Sequence, residues 1–309
     1  MVKKDSQQIY KRQNEKGMIN HLKAQKHVYK SAKRWIVVLF FCLIIVPLAI
    51  SIVSNFIEND TILATLMGAV ILLTLLGQLI RMLISSKKFL AAGIQQRFDE
   101  YVLGVDGSSI RYYMLGKPDR TDVIRAMQKY ENKGEEKLLN WYSDYSNLPY
   151  EQAVMFCQKN AVSWAYSQKK AYRIFLICGI ALLLVGITVN SIINAHLMSR
   201  FILILLTALP LISYLLGGLI KMTRDIKIQS KMLSKMSEVE EKLAEFACED
   251  LIDITNEFQA EIYRYRQKAY MVPEWFYKIA REHNQKTEDA VAKEISDQCK
   301  QMEEDGEDE

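Results

Sequence analysis

Cysteine, histidine and proline are scarce in this chain, and the first two scarcities each remove a class of chemistry. Five cysteines, Cys42, Cys157, Cys178, Cys248 and Cys299, are spread over 309 residues without a CxxC pair. That pattern supports neither a disulfide framework nor a zinc site, and they read as small apolar residues in a reducing compartment. Four histidines, His21, His27, His196 and His283, lie far apart, and no HExxH, GxSxG or phosphate-loop motif is present. No catalytic residue, metal ligand or cofactor is assigned, and the chain is expected not to be an enzyme.

The most informative absence is local. Residues 35–57, 61–80, 174–195 and 201–220 contain no Asp, Glu, Lys, Arg or His. At about 1.5 Å per residue, roughly twenty helical residues cross a hydrocarbon core of about 30 Å. Each run meets that length. Backbone groups in lipid must be satisfied within the segment, so the runs are predicted to be helices. The first run follows 34 mostly polar residues, exceeds a signal-peptide core and has no small-x-small cleavage site.

Charge at the flanks predicts orientation. The leader, residues 1–34, carries ten basic residues against Asp5 and Glu15. Arg81, Lys87 and Lys88 follow the second run, Lys169, Lys170 and Arg173 precede the third, and Lys221, Arg224, Lys227 and Lys231 follow the fourth. The connectors 58–60 and 196–200 hold one basic side chain apart from a histidine. The positive-inside rule puts both termini and the central region in the cytoplasm, with the chain multi-pass.

The expected fold is therefore an all-α membrane protein. Hairpins at 35–80 and 174–220 are extended by helical stalks into a small cytoplasmic region made of 81–173 and 221–300, ending in an acidic, disordered tail at 301–309. The second span should run on through Phe89, Ile94, Phe98 and Val102 to a cap at Gly104. A turn at 106–109, a short strand at 110–115, a turn at 116–119, a helix over 122–132 and a break at 133–135 follow. Pro149 opens a helix with Ala153, Val154, Cys157, Ala161 and Trp164 on one face, leading into the third span. Met232, Met236, Val239, Leu243 and Phe246 form a two-heptad seam for a partner or for the chain's own stalk. Leu251, Ile254, Phe258 and Ile262 continue an apolar stripe, and Pro273 starts a last helix with Trp275, Phe276 and Ile279 as its buried face.

Candidate functional positions are few. Gly186, Asn190 and Asn194 recur every four residues in the third run and share one helical face, with Gln78 in the second run a further polar position. They suit interhelical hydrogen bonding or, once several copies assemble, the lining of an aqueous path. Gly217-Gly218 suits close approach of helices rather than phosphate binding. Arg111 and Arg120, and Arg264 and Arg266, lie among tyrosines and could meet a nucleotide through ring stacking and charge-assisted bonds, or simply pack at an interface. The carboxylates of Asp99-Glu100 and Asp119 read as a solvated helix end and a capped turn. No ionisable group sits mid-span, which argues against a transporter.

Several motifs together resemble the SMODS-associated four-transmembrane effectors of bacterial antiphage systems. They are Gln13-Asn14, Leu22, Ala24-Gln25 and Tyr29 in the leader; Phe98-Asp99-Glu100-Tyr101-Val102-Leu103-Gly104; Trp141-Tyr142-Ser143, Leu148-Pro149 and Cys157-Gln158-Lys159-Asn160 with Trp164; and Gln259, Ile262-Tyr263, Arg266 and Val272-Pro273-Glu274-Trp275-Phe276-Tyr277. A departure is that no tryptophan shortly follows Leu103-Gly104. The resemblance implies an effector that oligomerises and perturbs the inner membrane when a cyclic-nucleotide second messenger rises. Its partners would be the bilayer, further copies of itself and that messenger, with no nucleic acid. A non-conducting scaffold or sensor recruiting a cytoplasmic protein is the alternative, and a small transporter a third reading.

Overall fold

The computed structural model describes residues 5–53, 59–106, 115–132, 138–193 and 198–277, with 279, 290–291 and 293–294. Residues 110–114 of the strand expected at 110–115, most of the turn before it, the break at 133–135, the tail, Arg111 and Asn194 lie outside the described residues, and Leu115 is in a turn. Among those described there is no strand.

The leader is more than a basic tether. It forms α1 (Gln7–Gln13) and α2 (Lys16–Phe40), because Ile19, Leu22, Gln25, Val28 and Ala32 recur at three and four and bury one face. Lys26, Lys30 and Arg34 occupy the exposed side. The helix enters the first apolar run without a break. Pro47 lacks the N–H that would bond the Leu43 carbonyl, and just ahead of it the helix widens into a π-turn over Phe41–Ile45 before α3 (Val46–Val53).

The other spans also run on past the apolar stretches. Helix α4 (Asp60–Leu103) starts where the Asn59 side chain accepts from the N–H groups of Thr61 and Ile62 at 2.9 and 3.2 Å, and Gly104 ends it at φ 59°. Helix α5 (Arg120–Tyr130) begins two residues earlier than expected, because the Asp119 carboxylate takes the Thr121 N–H at 2.7 Å. Helices α6 (Tyr150–Ile193) and α7 (Met198–Glu241) carry the third and fourth runs, and α8 (Cys248–Lys268) follows.

Helix α2 packs along α4 and α6 along α7, while α8 lies against both α4 and α6 and ties the two pairs together. The main core joins Ile9 and Leu22 to Phe98, Val102 and Leu103 of α4 and to Tyr142, Leu148, Val154 and Phe156. The seam begun by Met232 and Met236 is taken up by Val162, Phe258 and Ile262 of the same chain. Gly93 lets the Pro118 ring lie against α4, where a Cβ would come within 2.2 Å of Pro118 Cγ. Gly218 admits the Tyr270 hydroxyl, 3.1 Å from where its Cβ would be, so a side chain rather than a helix makes the close approach.

Two sequence expectations fail at the far end. Trp275 is 50 % exposed and Ile279 70 %, so they are not a buried face. The backbone from Ala269 to Pro273 is not helical, which sends Val272 inward and turns Trp275 out against the Phe175 ring, 5.2 Å away.

Candidate functional site

Asp99 corrects the reading of a solvated helix end: its exposure is 0 %. Ala92, Gln96, Asp99 and Leu103 recur at four, three and four, all buried, so the carboxylate sits on the packed face of α4. A buried carboxylate needs partners, and the motifs supply them. Tyr142 donates its hydroxyl to Asp99 Oδ1 at 2.6 Å, and Gln259 Nε2 donates to Oδ2 at 2.8 Å and to Gln96 Oε1 at 3.0 Å. Arg266 closes the group through an ion pair with the same Oδ2. Gln158 Nε2 extends the network to Gln259 Oε1 at 3.0 Å and the Thr255 carbonyl at 2.9 Å.

Burial, and then the charge of Asp99, push the Tyr142 hydroxyl well above the ordinary phenol range, so it stays a neutral donor. Burial, the largest single influence, acts to lower the Arg266 guanidinium, but Asp99, Tyr142 and Tyr29 together outweigh it and the net shift is upward. The leader is clamped to the same place. Gln13 Oε1 accepts from the Tyr142 N–H at 2.8 Å, and Asn14 exchanges hydrogen bonds with Asn140, whose φ of 52° suits asparagine.

Beside this network lies a cavity of about 880 Å³. Helix α2 contributes Lys26 and Lys33 to its wall, α6 Trp164, Gln168 and Lys169, and the end of α8 Tyr265 and Arg266; the loop at Trp141 and the segment 269–277 complete it. Its cations are held by carboxylates. Lys33 meets Glu274 at 2.9 Å, and Lys169 is paired with Asp225 of α7 and also donates to the Tyr265 hydroxyl. The same Asp225 oxygen accepts the Tyr270 N–H at 2.6 Å, so it joins α6, α7 and the segment after α8. Burial, then Asp225, raise the Tyr265 hydroxyl above its usual value. Gln168, 7 % exposed, has an Nε2 with no hydrogen-bond partner. Flat rings, paired cations and a spare amide donor form a wall suited to an anionic aromatic molecule.

Of the three described arginines singled out for a nucleotide, Arg266 lines this cavity, Arg120 is exposed in the first turn of α5 and Arg264 is exposed on α8. Gly186 and Asn190 are exposed in α6, and Gln78 is exposed with its Oε1 accepting from Arg81 at 3.1 Å. Among the described residues no cluster of His, Cys, Asp and Glu could hold a metal ion. Sequence reasoning missed Asp99, Gln168 and Asp225. The spacing of Asp99 with Ala92 and Leu103 was a usable signal, whereas the other two depend on which helices meet.

Among the described residues three helices, within Lys16–Ile50, Ala64–Leu103 and Tyr150–Asn190, are long and apolar enough to cross a membrane. Only 11–12 % of the most apolar stretch of each is buried by the chain itself. Their continuation into a body with a buried polar network defines an all-α membrane protein with stalks. The chain belongs to the SMODS-associating 4TM effector domain family, whose model matches residues 7–295. A Bacillus cereus (strain VD146) protein named "Probable CBASS effector molecule" is 26 % identical over 281 residues, covering 87 % of this chain and 92 % of that one. No solved structure gives a significant match.

Proposed function

We propose that the chain is a membrane effector of a bacterial antiphage system driven by a cyclic-nucleotide messenger, and that its active form is an assembly of copies that permeabilises the inner membrane. The family and the name of the Bacillus cereus relative support the antiphage role. Basic flanks on the stalk side of each apolar run support termini and body in the cytoplasm.

The observation that carries the assembly is the exposure of Gly186 and Asn190 on one face of α6. The described helices leave Gly186 and Asn190 exposed, and a polar, small-residue face on a membrane helix is suited to packing against a second copy or lining a water-filled path. Asn194 and Gln78 belong to the same proposal. Four helices of one chain enclose too little space for a pore, so several copies are needed. Stalks continuous with the spans give the messenger a rigid route to the membrane, provided it favours one of two assemblies by differential affinity.

The test is membrane potential and dye exclusion in cells expressing the chain with an activated cyclic-nucleotide synthase. Depolarisation and dye entry on activation are expected, and an intact membrane would overturn the reading.

A further inference from the structure

We infer that the cavity of about 880 Å³ is the receptor site for a cyclic oligonucleotide, whose phosphates take Lys33 and Lys169 over from Glu274 and Asp225. The inference rests on the effector reading above and gives it a site and a trigger.

Size comes first. Ligand pockets span about 300–1,000 Å³, and this one lies toward the upper end, with room for more than a mononucleotide. Composition is the second point. Among the described residues, Lys26, Lys33, Lys169 and Arg266 line it, with Asp144 and Glu274 as the carboxylates. Trp141, Trp164 and Tyr277 supply flat faces on which bases stack, and Trp164 already meets Tyr277 at 5.2 Å between ring centres.

The third point is independent of charge. Gln168 is 7 % exposed, lines the cavity, and leaves its Nε2 without an acceptor. A buried donor without a partner costs about 1–3 kcal/mol, which a phosphate or base oxygen in the cavity would remove.

The paired cations explain how occupancy is transmitted. Glu274 and Asp225 hold Lys33 and Lys169 in the way a ligand's negative charges would. A phosphate that claims Lys169 leaves Asp225 with the Tyr270 N–H and breaks the buried ion pair between α6 and α7 at this level, one of several ties between them. One that claims Lys33 releases Glu274, and with it the segment 269–277 from α2. The exchange leaves the buried Asp225 carboxylate without its cation, a cost the ligand's own contacts must exceed, and rearranges three of the elements whose helices continue into apolar runs. That is the differential contact a two-state switch requires.

An acidic lipid headgroup offers similar anionic chemistry, so the experiment carries both sources. The full chain is placed in nanodiscs of phosphatidylcholine or phosphatidylglycerol and titrated with cyclic di-adenylate, cyclic guanylate–adenylate, cyclic tri-adenylate and linear ATP, read by calorimetry and tryptophan fluorescence. At least one cyclic oligonucleotide is expected to bind, with ATP weaker. Gln168→Leu should weaken binding about tenfold, as for one lost hydrogen bond to a charged group, while the melting temperature holds or rises. Glu274→Gln, at a partly exposed position, should tighten binding severalfold by freeing Lys33. The inference is overturned if none of the cyclic oligonucleotides binds, if both variants bind as the parent does, or if phosphatidylglycerol abolishes binding at saturating nucleotide. Binding without depolarisation in cells would sink the permeabilising reading and leave this site standing; depolarisation without binding would do the reverse.

Discussion

Within the single helix α6, Met155 and Cys157 are almost wholly covered by the rest of the chain, whereas Leu182, Ile192 and Ile193 further along are each more than 70 % exposed. The first stretch belongs to a body with five buried clusters and a network around Asp99; the second belongs to an apolar half in which the chain covers little of itself. The body carries its own interior, so its contacts decide the fold. On the proposed function the apolar half is completed by lipid and by other copies, so its side chains decide assembly. Substitutions should therefore separate cleanly: those in the body change stability, and those in the apolar half change activity at nearly constant stability.

The largest effect should come from Asp99→Asn. It leaves Arg266 buried without its counter-charge, and breaking a buried pair in this way costs about 3–5 kcal/mol. Thermal unfolding in detergent should show a large loss of stability. Tyr142→Phe should cost about 1.5–3 kcal/mol, the worth of a hydrogen bond to a charged group. Because burial and Asp99 raise the Tyr142 pKa on folding, its contribution is complete below the unfolded value of about 10 and is lost as pH rises beyond it. Tyr142→Phe should accordingly lose less stability at alkaline pH than the parent. Gly93→Ala should cost about 1–3 kcal/mol by forcing the Pro118 ring away from α4. Smallest in stability is Asn190→Leu, expected to lie within about 0.5 kcal/mol of the parent while reducing membrane leak. A loss of folding as large as that of Asp99→Asn would erase the distinction between the halves.

Much of the architecture was legible because its signals are local. Charge-free runs, the cap at Gly104, Pro149 at the head of α6 and the stripe of Phe258 and Ile262 all follow from spacing along one helix. The helical leader was legible in principle, since Ile19, Leu22, Val28 and Ala32 have helical spacing, but ten basic residues masked it. The motifs Phe98-Asp99-Glu100, Trp141-Tyr142-Ser143, Gln158 and Gln259 with Arg266 are separated by up to 167 positions, and their convergence on one carboxylate is a tertiary fact. Trp275 and Ile279 were misplaced because the short helix that does follow Pro273 turns Phe276, not them, toward the Tyr172 cluster, and which face meets that cluster is set by the non-helical 269–273 link. Of the nucleotide candidates, Arg266 was found by its tyrosine neighbours, while the cavity itself depends on α2, α6 and the 269–277 segment meeting.

The account turns on copies of the chain covering one another's polar faces in the membrane. Stepwise photobleaching of the fluorescently tagged full chain, in membranes from cells with an activated synthase, counts those copies directly. Several bleaching steps per spot, falling toward one in Asn190→Leu, is the predicted result. Single steps under conditions where the membrane depolarises would contradict it.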